Sequence, residues 1–398
     1  MQRYVVVGGG LAGLTAANSL AAEGRHVVLY EQSDRLGGRA ATQEDHGFLL
    51  NLGPHALYQG GVAAQTFTQW GVPFHGNPPD TRAASFFMHG GQMFPLFAAT
   101  RGLLTTRLFR TAEKIQAARV LQQLLSGRAA DRESMDTWIE RRARSARVRQ
   151  FASMLMRVST YSAELSQLSA RAALDQFRLA KSHGLLYLDG GWQTLVAGLA
   201  QRARGLGVEI RLGETISSLS AIDADGVVFA MPPAAVEKIT GRGLPAMRPA
   251  RVACLDLGLR TLPKGAARVV FGVDQPLYLS VHSAAARLAP EGKSLVHVAK
   301  YLAGDSDAAA DRRELEQFAD CAIPGWREQA EVVRSLPHMT VTAAVFSPLG
   351  RPAVDELDIP GVALAGDWVG DEGMLADAAV ASALRAAAMV QRQELRAA

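Results

Sequence analysis

The apolar positions of this chain fall into runs that change period along its length. Tyr4 to Val7 is an unbroken apolar run that reads as a buried strand. It leads into Gly8, Gly10 and Gly13, then a helix from about Leu11 to Glu23, then a second apolar strand from His26 to Tyr30 that ends on Glu31. Around Pro73 to Pro79 the pattern dissolves into Pro, Gly and His, which predicts a domain crossing. Between residues 95 and 185 the period becomes helical, as in LFRTAEKIQAARVLQQLL and AELSQLSARAALDQFRLA. At Gly190-Gly191-Trp192 it changes again. GWQTLVAGLAQRARGLG predicts a helix stopped at Gly205 or Gly207, VEIRLG a strand, and GVVFAMPP a strand closed by Pro232-Pro233. From 250 to 345, RVACLDLGL, RVVFGV, LYLSVH, LVHVAKYL and MTVTAAVF predict an antiparallel sheet, interrupted by an acidic helix near Asp311 to Asp320. The segment GVALAGDWVGDEGMLADAAVASALRAAAMV reads as strand, loop and helix.

The first of these patterns carries chemistry. Strand, glycine turn, helix and a second strand with an acidic end make the dinucleotide-binding fingerprint in its required context. Gly8 takes a tight turn closed to other residues. Gly10 lets the backbone approach a pyrophosphate, and Gly13 lets helix and strand pack closely. The helix start, at Leu11 and Ala12, offers free N–H groups and partial positive charge to the phosphates. The Glu31 carboxylate can accept hydrogen bonds from an adenosine ribose and would repel a 2′-phosphate. The ligand expected is therefore FAD or NAD rather than NADP.

Size and composition narrow the class. At 398 residues the chain is long enough for two interleaved domains, and 48% hydrophobic with 20% charged residues is globular. No run is long and apolar enough to span a bilayer. The first strand begins at Arg3, which leaves no room for a signal peptide, so a cytoplasmic protein is expected. Cys254 and Cys321 have neither metal nor redox spacing, and no disulfide is expected. The nine histidines form no HxxxH or Cys/His cluster, so no metal site is expected. Neither a GxSxG elbow nor a GxxxxGK[ST] loop is present. Net charge is +4, with no nucleic-acid partner expected, but residues 101–150 hold twelve Lys/Arg against five Asp/Glu. The apolar, basic stretch from Phe86 to Leu125 has two readings. It is either a helical subdomain with its apolar face in the core, or an amphipathic helical surface that makes a peripheral membrane contact.

Further segments extend the first fingerprint. DRLGGRA brings Gly37, Gly38 and Arg39; GFLLNLGPHAL brings Gly53, Pro54 and His55; GGWQTLVAGLAQ, VEIRL and VVFAMPP follow, and LAGDWVG…GMLADAAVASALRAA ends the set. With these pieces in this order from Tyr4 to Val390, the chain resembles the superfamily of flavin-containing amine oxidases, protoporphyrinogen oxidases and phytoene desaturases. The resemblance implies an α/β fold: a discontinuous, Rossmann-like FAD-binding domain and an α+β substrate domain with a helical subdomain and a mostly antiparallel sheet. The corresponding boundaries are 1–75, 186–245 and 350–398 for the first and 76–185 and 246–349 for the second. It implies non-covalent FAD, since no cysteine lies near the flavin motifs. Gly37 and Gly38 would let the backbone pass the pyrophosphate, with the Arg39 fork on its oxygens. Gln32, next to Glu31, would also belong to the cofactor-binding set. Val208 would meet the adenine through its backbone. Gly366 and Asp367 would meet the ribityl and phosphate side. Leu375 and Ala376 would lie at the pyrimidine edge, where the helix start favours electron uptake. Gly53, Pro54 and His55 would line the ring, Gly53 allowing close backbone approach. His55 is the candidate catalytic acid or base, with a hydrogen-bonded structural histidine as the other reading.

Two departures bear on substrate. Flavin amine oxidases usually frame the amine with two aromatic rings, one on the segment that maps to Leu375. Many also carry a lysine near the flavin, and Arg251 to Leu259 has none, with Lys264 nearby. The expectation is an FAD-dependent oxidoreductase of desaturase, dehydrogenase or oxidase type. It would remove a hydride from an apolar small molecule and pass electrons to oxygen, a quinone or another acceptor, since a second dinucleotide fingerprint is absent. Trp192, Tyr187, Trp368 and Tyr278 are candidate pocket aromatics. The alternatives are an amine or amino-acid oxidase and, in another class, a non-enzymatic lipid-handling protein on the same fold.

Overall fold

The computed structural model describes residues 2–81, 84–97 and 100–397. Its first layer is a five-stranded parallel sheet, in the order Glu209–Leu212, His26–Glu31, Arg3–Val7, Gly226–Phe229, Val362–Leu364. These strands read as unbroken apolar runs because both faces are covered. On one face the helices Leu11–Ala22, Gln193–Gly205 and Leu375–Ala397 enclose Leu14, Leu20, Leu199 and Val390. On the other, Val5, Val7, Val28 and Phe229 pack with Leu357 and Trp368. Strands from both ends of the chain thus share one sheet.

The second layer is a seven-stranded sheet, ordered Ala330–Thr342, Ala250–Leu259, Ser294–Leu302, Leu277–Val281, Val269–Gly272, Ser85–His89, Gln92–Pro95. Every pair is antiparallel except Val269–Gly272 with Ser85–His89. Strict alternation along Ala250–Leu259 divides its faces. Ala253, Leu255, Leu257 and Leu259 pack under the Ala308–Ala322 helix, while Val252 and Cys254 face the other way. Beyond them lie the helices Thr111–Ser126, Met135–Arg142, Ala146–Thr160 and Ala170–His183, around buried Trp138, Phe151 and Leu168. Ser134 and Ser169 cap two of these helices through Thr137 N and Ala172 N.

The stretch from Phe86 to Leu125 departs from the helical surface expected of it. Its first part is the Ser85–His89 and Gln92–Pro95 hairpin, turning at Gly90 and Gly91, both with positive φ. Two glycines between apolar runs are a hairpin signal. Helix resumes at Thr100–Thr105; residues 98 and 99 lie outside those described.

One buried cluster joins the layers. Asp256 is fully enclosed on the second sheet. It accepts from His297 Nδ1 at 2.5 Å and from Arg334 Nε at 2.9 Å and Nη2 at 2.5 Å. Burial pushes the Asp256 carboxyl up, but the charges and hydrogen bonds of His297 and Arg334 outweigh it and hold it below its usual value. Arg334 also reaches Gln43 Oε1 at 2.9 Å and the Asn51 carbonyl. The Asn51 side chain in turn accepts from Trp192 N at 3.0 Å. Removing one partner strands the others in the interior. Asp256→Ala is expected to cost about 3–5 kcal/mol in urea unfolding; a loss below about 1 kcal/mol would mean that the cluster is not a joint between the layers.

Candidate functional site

The site begins where the first strand stops. Gly8 turns at φ 111° and donates its N–H to Tyr30 O at 2.8 Å. A Cβ there would lie 2.3 Å from Ala230 O, and one on Gly13 would lie 1.8 Å from Gly8 O. Gly13 therefore serves strand–helix packing. Gly10 starts the Leu11–Ala22 helix with no side-chain cap and no acid in its first turn. The first N–H groups are left for a ligand. A Cβ on Gly10 would meet only Gly37 O, at 3.8 Å, and one on Gly38 only Gly10 Cα, at 3.8 Å. The two bare backbones lie in contact, with Gly37 N donating to Gly9 O at 2.9 Å. Neither Gly10 nor Gly38 projects a side chain into the cavity they line, which leaves their backbones open to a diphosphate.

Glu31 is held ready beside this turn. Its Oε2 accepts from Gly9 N at 2.6 Å and its Oε1 from Ser33 N and Oγ at 2.9 Å. Gly9 escaped the sequence reading; a Cβ there would strike Leu36 at 2.5 Å and crowd Glu31. The three-glycine run was its signal.

The other wall comes from the far end of the chain. Arg39 and Asp367 form a two-point ion pair, Nη1–Oδ2 at 2.6 Å and Nη2–Oδ1 at 2.7 Å. Ser382 of the last helix bonds both the N–H and the carbonyl of Gly366. Arg351 staples the loop that follows, donating to Asp367 O and Gly370 O at 2.8 Å and to Gly373 O at 3.0 Å. Burial lowers the Arg351 guanidinium to about 10, with Asp367 and Asp371 opposing. The last helix opens at Leu375, whose φ is +57°. Two residues on, buried Asp377 accepts from Ala63 N at 2.9 Å, in the first turn of the Val62–Gln69 helix.

These parts enclose one cavity of about 590 Å³. Of the cofactor and catalytic candidates in the sequence, all but Gly13, Gly53 and Val208 line it, as do Trp192 and Trp368. Gly53, at φ +81°, is glycine for another reason than flavin approach: a Cβ would meet Met339 Cε at 2.5 Å and Cys254 Sγ at 3.1 Å on the second sheet. Val208 is buried in the core with its N–H given to Ala203 O at 2.9 Å. Glu214 to Ser217, beyond the end of its strand, reach the cavity instead. Tyr187 and Tyr278 lie behind the wall, their hydroxyls 2.7 Å apart. Lys264 is exposed in a turn, and Lys300 pairs with Asp311 and Glu314.

The part of the cavity facing the second sheet is largely apolar or phenolic, with Thr340 as a hydroxyl on the same strand as Met339. Tyr58, Tyr161, Met339 and Leu375 line it. Tyr161 donates to Pro54 O and Tyr58 to Ser159 O, each at 3.0 Å. Burial pushes the Tyr58 phenol up to about 12 and the Tyr161 phenol well above its ordinary value, so both stay neutral. Tyr161 and Met339 carry no motif. His55 lies half-buried between the two parts, Nδ1 3.0 Å from Gly53 O and Nε2 3.2 Å from Arg39 O.

Residues 11–243 match the family of flavin containing amine oxidoreductases. An L-amino-acid oxidase of Demansia vestigiata is 52% identical over 58 residues, 14% of this chain and 11% of that protein. A 4,4'-diapolycopene oxygenase of Methylomonas sp is 42% identical over 67 residues, 17% of this chain and 14% of that protein. The matched segments thus span little more than a tenth of these relatives. An oxidoreductase from Methanosarcina mazei shares the fold over 96% of this chain and 99% of its own, at a TM-score of 0.79 and 17% identity.

Asp377 gives the site a measurable pH signature. Burial raises its carboxyl from 3.8 to about 6, with the Ala63 N–H opposing and Glu372 adding to the rise. The folded state therefore prefers the protonated acid, and that stability is lost as pH climbs from the unfolded value through the folded one. Asp377→Asn keeps the acceptor without the charge. Relative to this variant, wild type is expected to lose about 3 kcal/mol between about pH 4 and pH 7 in denaturant melts. Parallel pH profiles would contradict the assignment.

Proposed function

The chain belongs to the flavin-containing amine oxidoreductase family, and we propose that it holds one FAD without a covalent bond and removes a hydride from an apolar small molecule. The observation that carries the substrate reading is the wall of Tyr58, Tyr161, Met339 and Leu375 facing the second sheet. FAD, when bound, supplies the hydride acceptor. The chain's residues do the rest. The Leu11–Ala22 helix start and the facing Gly10 and Gly38 backbones receive the diphosphate. Glu31, already oriented by Gly9 and Ser33, meets the ribose through its remaining lone pairs. Arg39 and Asp367 hold the two walls in register. The opening of the last helix, fixed by Arg351 and Ser382, sets the edge against which a ring would lie. Tyr58 and Tyr161 exclude water and hold no charge, which suits a substrate bound by contact area rather than by ion pairing. Oxygen, a quinone or another acceptor would take up the electrons.

A second reading, amino-acid or amine oxidation, is supported by the likeness to an L-amino-acid oxidase. Against it stand Leu375 in place of an aromatic wall and the Arg39 fork, which is already committed to Asp367 and Val341 O. The lipid-handling reading gives no role to Glu31, Arg39 and Asp367 gathered on one cavity.

Purified protein is expected to be yellow and to release FAD on denaturation. Under anaerobic conditions its flavin absorbance should bleach with apolar polyenes or porphyrinogens and stay unchanged with amines and amino acids. Bleaching by the amine or amino-acid panel alone would overturn the apolar assignment. A colourless protein that cannot be reconstituted would overturn the enzyme.

A further inference from the structure

Two backbone carbonyls converge on one imidazole. His55 Nδ1 lies 3.0 Å from Gly53 O, and Nε2 lies 3.2 Å from Arg39 O. Both partners are acceptors, and a neutral imidazole has a single N–H. Neutral His55 therefore satisfies one carbonyl and turns a lone pair on the other. Only the imidazolium donates to both. A ring flip offers no escape, since it replaces both nitrogens with carbons at these contacts. Trp192, edge-on at 5.0 Å, holds the ring.

The surroundings oppose that charge in the chain by itself. Burial is the largest influence on the His55 pKa and lowers it; the two carbonyls oppose it, His297 and Arg39 add to the lowering, and the net is downward. Those two and His282 are the titratable groups acting on the ring: Arg39 from the Gly38–Ala40 turn, His297 from the Ser294–Leu302 strand, His282 from the turn before it. Glu31, Glu214, Lys238, Asp367 and Asp377 line the same cavity. Arg39 cannot adjust its own charge, being cationic already and paired with Asp367. His55 can.

We infer that His55 takes up a proton from solvent when the diphosphate of the cofactor enters the cavity, and so becomes the cation that answers the cofactor's charge. The inference rests on the FAD reading. A diphosphate brings negative charge into a cavity that His55 and Arg39 both line, and negative charge nearby favours the protonated ring. The imidazolium, with an N–H on each nitrogen, then donates to both carbonyls at once. The sign follows from linkage. FAD binds more tightly as pH falls through the window between the free and bound pKa values of His55. Below that window both states carry the proton, and above it neither does.

The test is a histidine NMR titration of the FAD-loaded protein, with the His55 resonance assigned by its loss in His55→Gln. His55 is expected to titrate above its ordinary 6.5 when FAD is bound. Calorimetric titration of FAD into stripped protein at about pH 7, in buffers of different ionisation enthalpy, should show about half to one proton taken up per FAD. That uptake should disappear in His55→Gln and persist in Asp377→Asn. Circular dichroism matching wild type separates loss of the proton from loss of the fold. A His55 that titrates below 6.5 with FAD bound, or uptake that follows Asp377 instead, overturns the inference and leaves the cofactor reading standing. Protein that neither carries nor accepts FAD overturns both.

Discussion

The ion pair between Arg39 and Asp367 is the constraint on which the site depends. It joins a turn near the start of the chain to the end of its last strand, 328 positions away. The Asp367 side chain is buried, while that of Arg39 is about half exposed. A pair so placed adds modestly to stability, since solvent screens the exposed half. Its value is geometric. Two parallel bonds fix both the distance and the angle between a glycine turn and the loop leading to the last helix. Without it, the two walls of the cleft would be set by helix packing on the parallel sheet and by single bonds such as Ala63 N to Asp377.

A second joint completes the enclosure from the other side. Arg334 spends its fork on Asp256, Gln43 and Asn51, and so ties the antiparallel sheet to the segment that carries Pro54 and His55. The tight fit of Gly53 against Met339 and Cys254 is the packing counterpart of that tie. One sheet supplies groups suited to a diphosphate and a ribose. The other supplies a wall suited to an apolar molecule. Catalysis in such an arrangement is a matter of holding two ligands face to face with water kept out, and His55 stands where the two regions meet.

Much of the fold was legible because its signals are local. Unbroken apolar strands, three spaced glycines and a terminal Glu31 lie within thirty-one residues, and each needs only its neighbours to be read. The last strand and helix were legible for the same reason. What stayed hidden depends on pairing across the fold. Val208 has the composition of a ligand-contacting strand residue, but its N–H is claimed by the preceding helix, and the residues that face the cavity come six to nine positions later. Asp256 reads as one polar interruption of an apolar strand until His297 and Arg334 are placed around it. Tyr161 and Met339 become a wall only when the helical segment and the edge strand fold onto Pro54 and Gly53. Gly90-Gly91 was a local signal that the surrounding helical pattern masked.

On the proposed reading, Arg39 and Asp367 make one cofactor cradle of segments from opposite halves of the chain. A double-mutant cycle with Arg39→Ala, Asp367→Ala and the pair, read as FAD dissociation constants, is the decisive test. A cradle built on their contact gives single losses that are not additive, with a coupling of about 1–3 kcal/mol. Losses that simply add would show that each residue meets the cofactor independently, and would contradict the account.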